Sequence, residues 1–177
     1  MGLQHLLLRP PRLQLNISQS DVFVARYKSF GVTRYGCRFY LEATNPSELA
    51  YVHYSNLTVQ LFDTSPPPAS GNRPFARFGY MSPSSISLAP KEEQEFIVYG
   101  LTEDTNDVVD EQKLFKEDNA VMMLTGVVVL DNNQGAIQLY RANFRCQPVT
   151  VKSNAPLPEP SSNNFKADCL WVWQPDL

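Results

Sequence analysis

The sequence is poor in the residues that usually carry chemistry. Its 177 positions hold two histidines and three cysteines. It has no GxSxG nucleophile elbow, no GxGxxG turn and no GxxxxGK[ST] phosphate loop. Cys37, Cys146 and Cys169 share no metal-ligand spacing, and only His5 and His53 stand ready to assist them. No zinc site, and no other metal or cofactor, is therefore expected. A run of about 20 apolar residues, the length that crosses a bilayer, is also missing. The opening MGLQHLLLRPPR is too short and too polar to serve. Without a charged leading region and a long apolar stretch it does not read as a signal peptide. Gly2 would suit myristoylation with Ser or Thr at the sixth position, but Leu6 stands there.

Charge of one sign is not concentrated either. The formal net charge is −3. The cations come in scattered pairs, Arg26 with Lys28, Arg34 with Arg38 and Arg141 with Arg145. Such pairs read as outward faces of strands. A nucleic-acid partner, which calls for a basic stripe, is not expected.

What is present is strand signal. The apolar fraction of 43% is that of a globular chain with a core of its own. In YGCRFYLEAT, Cys37, Phe39, Leu41 and Ala43 alternate with Arg38, Tyr40, Glu42 and Thr44. That period of two marks a half-buried strand. NLTVQLF repeats it, with Leu57, Val59 and Leu61 inward. LQLNI, DVFVARY, EFIVYGL and GAIQLYRANFRC add further strands. AVMMLTGVVVL, almost wholly apolar, predicts a central strand buried on both faces. DNNQG before the last strand is a hairpin turn. Asn45-Pro46 ends the third strand, because proline has no amide hydrogen and holds its predecessor extended.

The remaining segments are breaks. DTSPPPASGNRP reads as a loop. The acidic stretch 102–118 carries a short helix within 107–117, with Val108, Leu114 and Phe115 inward. Glu103, Asp104, Asp107, Asp110 and Glu111 offer hard oxygens, but the calcium-loop spacing and its glycine are absent, so they read as solvated surface. KSNAPLPEPSSNN is an extended, flexible tail. The expectation is an all-β fold: an antiparallel β-sandwich of about seven or more strands with one short helix. Residues 1–10 form an N-terminal tail, 11–152 the β-domain and 153–177 a flexible C-terminal tail.

Few side chains offer a site. His53 lies in a strand between tyrosines and is expected to be packed or hydrogen-bonded, so no enzyme is expected. NIS and NLT make Asn16 and Asn56 glycan-acceptor candidates; alternation turns Asn56 outward, which suits a chain exposed to the cell exterior. Cys37 and Cys146 both lie in strands and are a candidate disulfide if the chain is exported. Buried free thiols are the other reading.

The ordered series PRLQLNISQSDVFV, FYLEATNPSELAYVHYSNLTVQLF and GAIQLYRANFRCQPVTV resembles the late embryogenesis abundant group 2 domain. It resembles in particular the plant harpin-induced-like proteins, which share the water-stress and hypersensitive-response domain. The likeness falls on Pro11, Asn45-Pro46, Tyr51, Tyr54, Val59 to Phe62, Pro66 to Pro68, and Cys146 with Val149 and Val151. It spans roughly residues 10–152. It implies a fibronectin- or immunoglobulin-like sandwich without catalytic residues. It also implies a role in plant stress and defence responses, and a domain at the plasma membrane facing the exterior. A protein, wall or lipid partner follows. Family members carry a membrane helix before the domain, and here only Leu6 to Leu8 stand in its place. An N-terminal truncation or a soluble variant is expected on that ground, and a soluble intracellular desiccation protectant is the alternative function.

Overall fold

The computed structural model describes residues 13–63, 73–102, 109–116, 119–132, 137–153 and 166–171. Among these the chain is all-β, 74% strand with one short helix. The strands are β1 (Gln14–Ser18), β2 (Asp21–Ser29), β3 (Val32–Thr44), β4 (Tyr51–Asp63), β5 (Ala76–Phe78), β6 (Tyr80–Ser82), β7 (Ile86–Leu88), β8 (Glu93–Leu101), β9 (Ala120–Asp131), β10 (Ile137–Ser153) and β11 (Lys166–Trp171). Helix α1 spans Glu111–Lys116. Hydrogen bonds join all eleven strands into one network, in the order β5-β4-β9-β10-β11-β1-β3-β8-β6. β7 pairs with β4, and β2 pairs with both β3 and β10. Every pairing is antiparallel except β2 with β10.

The alternation of β3 survives intact. Cys37, Phe39, Leu41 and Ala43 are buried, and their neighbours are not. β4 behaves differently. Val52 and Tyr54 are buried at even positions, then Leu57, Val59 and Leu61 at odd ones. The change of phase is a β-bulge. Register against β9 slips between Ser55 and Thr58, and Asn56 takes a left-handed φ of 52°. Opposite it stands Gly126, where a Cβ would come within 2.6 Å of the Ser55 carbonyl oxygen. The bulge keeps both halves of β4 facing the core, and the glycine makes room for it. Gly100 plays a similar part in β8: a Cβ there would meet the Cys37 sulfur at 2.7 Å and the Phe78 side chain at 3.1 Å.

β9 is central, between β4 and β10, as its composition suggests. Its burial is one-sided, however. Met122, Leu124, Val128 and Leu130 are buried, whereas Met123, Val127 and Val129 are half-buried. On the outer face Val129 stands in register with His53 of β4 and Leu139 of β10.

α1 is shorter than the sequence predicts. Asp110 caps it by accepting the Lys113 amide, and Leu114 is buried with Phe115 packed against the core. Val108 lies outside the described residues. Val109 takes an inward place, bridging to Ala76.

The C-terminal tail is corrected most. Lys152 and Ser153 belong to β10, and residues 166–171 form β11 inside the network. β11 fills a fork. Beyond Val149, β10 pairs directly with β2, while at Phe144 to Cys146 it parts from the β1 side, and β11 occupies the gap. Both ladders of β11 are antiparallel, so it satisfies backbone groups of β10 and β1 together. The three-residue strands β5, β6 and β7 are too short to show a period of two. β11 was masked by the proline- and serine-rich stretch before it.

Candidate functional site

The two sequons fall in unlike places. Asn16 is half-buried in β1, in register with Asp168 on one side and Glu42 on the other. Asn56 is exposed at the bulge of β4. Its partner in the sequon, Thr58, shares a 2.5 Å hydrogen bond with Thr125 of β9. A glycan on Asn56 projects from the sheet without displacing a strand. On Asn16 it would have to leave between two flanking strands.

The cysteines pair otherwise than Cys37 with Cys146. Cys146 is bonded to Cys169 of β11, its register partner, with Cα atoms 4.0 Å apart. Cys37 is the free, buried thiol. The reason is the fork: β11 delivers Cys169 directly opposite Cys146, whereas Cys37 in β3 is flanked by Val24 and Gly100. Burial pushes the Cys37 thiol far up from its usual range, so it is a packed apolar group rather than a nucleophile. Nothing local in the sequence marks Cys169 as the partner, because its strand lies beyond a proline- and serine-rich stretch.

His53 accepts or donates a 2.8 Å hydrogen bond through Nδ1 to Ser87 Oγ on β7, its register partner. A histidine beside a serine is half of a nucleophilic arrangement. Among the described residues, no third group orients the ring. The contact is exposed on the sheet. It reads as a cross-strand hydrogen bond.

Of the acidic residues, 103–108 lie outside the described set. Asp110 caps α1. Glu111 accepts from both Arg26 and the Tyr35 hydroxyl, the latter at 2.9 Å. Desolvation, helped by the Glu111 hydrogen bond, raises the Tyr35 phenol above its ordinary 10.0. Glu111 thus ties α1 to the β2–β3 hairpin, with the rings of Tyr35 and Phe115 6.4 Å apart. Among the described residues no three His, Cys, Asp or Glu side chains gather in a way that could hold a metal ion.

The Asn45-Pro46 break contains a site of another kind. Asn45 is fully buried. Its side-chain amide donates to the carbonyls of Ala50 at 2.8 Å, Ala89 at 3.0 Å and Leu88 at 3.4 Å, and its Oδ1 accepts the Ser47 amide. Its backbone amide donates to Glu92. One side chain thus ties the end of β3 to the turn before β8. The sequence pointed to proline here, and the asparagine does the tying.

Among the described residues the most exposed large apolar groups are Phe30, Leu49, Ile137, Leu170, Leu139 and Tyr80. Among the described residues no helix is long and apolar enough to cross a membrane. No family model, no curated protein and no solved structure matches this chain.

Proposed function

We propose that the chain is a non-enzymatic binding module of plant stress and defence responses, associated with the plasma membrane and facing the cell exterior. It acts by holding a protein, wall or lipid partner on its surface. The observation that carries the placement is the Cys146–Cys169 disulfide. Structural disulfides persist in oxidising compartments and are rare in the cytosol. The exposed sequon at Asn56 supports the same side of the membrane. The stress and defence role rests on the ordered strand series, which resembles the late embryogenesis abundant group 2 domain. The all-β antiparallel architecture suits the fibronectin- or immunoglobulin-like sandwich which that resemblance implies.

The test is thiol accounting in plant cells. Cells expressing the chain are acid-quenched and denatured, and free thiols are tagged with a polymer-linked maleimide. Exterior placement gives one tagged cysteine, Cys37, before reduction and three after it. Three tagged cysteines before reduction would replace the proposal with the intracellular protectant reading. A glycosidase-sensitive mobility shift lost in Asn56→Gln and kept in Asn16→Gln completes the expected outcome.

A further inference from the structure

The outward side of β8 is apolar where a solvated strand face is usually polar. Ile97, Tyr99 and Leu101 are exposed, while Val98 and Gly100 between them are buried. The two neighbouring strands add aromatic residues to the same face. Tyr40 of β3 stands in register with Ile97, and Tyr80 of β6 with Leu101. Tyr40 is half-buried and Tyr80 is exposed. β8 lies between β3 and β6, so Tyr40, Tyr99 and Tyr80 form a diagonal file across three strands. With strands about 4.8 Å apart and two residues rising about 6.7 Å, successive tyrosines stand roughly 8 Å apart. Among the described residues no hydrogen bond engages any of these three hydroxyls.

One end of the file is acidic. Beyond Tyr40 and Ile97 the next outward positions are Glu42 and Glu95, in register with each other, and then Thr44 and Glu93. Glu93 and Glu95 are exposed, and among the described residues neither has a cationic partner. The nearest cation on the file, Arg38 beside Tyr99, lies over the Phe23 ring.

The shape calls for a narrow ligand. A stable protein–protein interface takes about 20–30 residues a side, far more than these three tyrosines with Ile97 and Leu101. A β-strand laid along the file would cross side chains rather than a sheet edge, and its backbone groups would find no ladder. A polyproline II helix needs none. It makes no internal hydrogen bonds, leaves its carbonyls outward and turns once in about 9 Å, close to the spacing of the tyrosines. We propose that Tyr40, Tyr99 and Tyr80 dock a proline-rich segment in the polyproline II conformation, with a basic residue at one end against Glu95 and Glu93. Pyrrolidine rings pack on the phenol rings, and ligand carbonyls accept from the hydroxyls. The inference names the partner of the binding module proposed above and rests on that reading.

The probe is a peptide of nine prolines ending in two arginines, titrated by calorimetry into purified, oxidised full-length chain. Saturable one-to-one binding is expected, with amide shift changes confined to residues 38–42, 80–82 and 93–101. Tyr99→Ala lowers the affinity about tenfold or more, as for a central aromatic anchor. Tyr99→Phe, which loses only the hydroxyl, lowers it about fivefold. Glu93→Gln with Glu95→Gln lowers it about threefold at low salt and leaves binding of nine prolines without arginine unchanged. Leu139→Ala, on another exposed strand, changes nothing. All these variants keep the circular dichroism spectrum of the parent. Absence of binding overturns the inference. So does equal binding by folded Tyr99→Ala, or by a glycine–serine peptide with the same two arginines. Tyr99-dependent binding of a soluble glucose oligomer in place of the peptide would assign the file to a glycan. A parent dimer that Tyr99→Ala dissociates would assign it to a second copy of the chain. Either result overturns the proposal. A disulfide in cells with no peptide binding removes this inference alone. Reduced cysteines in cells with Tyr99-dependent peptide binding remove the exterior placement alone.

Discussion

The two ends of β3 are chain reversals built on opposite plans. At the Thr44 end, Asn45 is sealed from water and spends both its side-chain donors and its acceptor inside the domain. At the Val32 end, Phe30 is wholly exposed and held in a backbone conformation that suits other residues better. At the first turn the asparagine is satisfied internally, while Leu49 beyond it stays exposed. The second leaves an aromatic ring facing outward in a left-handed turn. The contrast shows that two reversals of one strand can place their polar and apolar side chains in opposite ways.

The comparison can be broken most strongly from the side of the disulfide. β1 pairs with the Asn45 end of β3, at residues 41–44, and β11 lies on the other face of β1's ladder. Cys169→Ser removes a cross-link with a sequence separation of 23. The chain-entropy model puts the loss at roughly 3 kcal/mol, read from the urea midpoint and slope. Amide exchange should quicken in β11, β1 and residues 41–44 of β3. Residues 32–38, paired with β2, should change least. Uniform loss of protection along β3 would show that the two ends are not separate.

Asn45→Asp sharpens the contrast next. It keeps the shape and the acceptor but sets a carboxylate oxygen against three carbonyls. The expected cost at neutral pH is about 2–3 kcal/mol, as for a buried polar group facing like partners. A change below 0.5 kcal/mol would mean that Asn45 is not the tie.

A smaller effect is expected at the base of the hairpin. Tyr35→Phe removes the hydroxyl that donates to Glu111 and should cost about 1 kcal/mol. The folded phenol titrates above the ordinary 10.0. Its contribution is therefore complete below pH 10 and falls as pH rises through the folded value. The Tyr35→Phe variant should lack that share of the alkaline loss in a urea titration repeated over pH. Phe30→Asn is the smallest: stability unchanged or raised by up to about 1 kcal/mol, since Asn tolerates the left-handed turn. A loss above that figure would show that Phe30 serves the fold and would close the contrast.

Much of the fold was legible. The seven segments read as strands all fall in strands, and in β3 the inward set of Cys37, Phe39, Leu41 and Ala43 is the buried set. Leu57, Val59 and Leu61 are likewise inward. Asn56 is outward, although at a bulge rather than on a regular strand. The bulge has a sequence trace in the change from even to odd apolar positions after Tyr54. The pairing of the cysteines was not legible, since it depended on a strand hidden beyond a proline-rich connection.

In β3 and in the second half of β4 the sequence by itself determined which residues turn inward, because side-chain direction in a strand repeats every two residues. Asn45-Pro46 likewise marked the end of β3, whereas β10 runs through Pro148 with a shift of register. The tertiary structure alone decided what lies beside what. Cys146 meets Cys169 rather than Cys37, Gly126 yields to the bulge of β4, and Asn45 reaches Ala89. Each of these is a contact between segments far apart in the chain. Register and hydrogen-bond satisfaction are settled between strands, and no single strand carries the information to settle them.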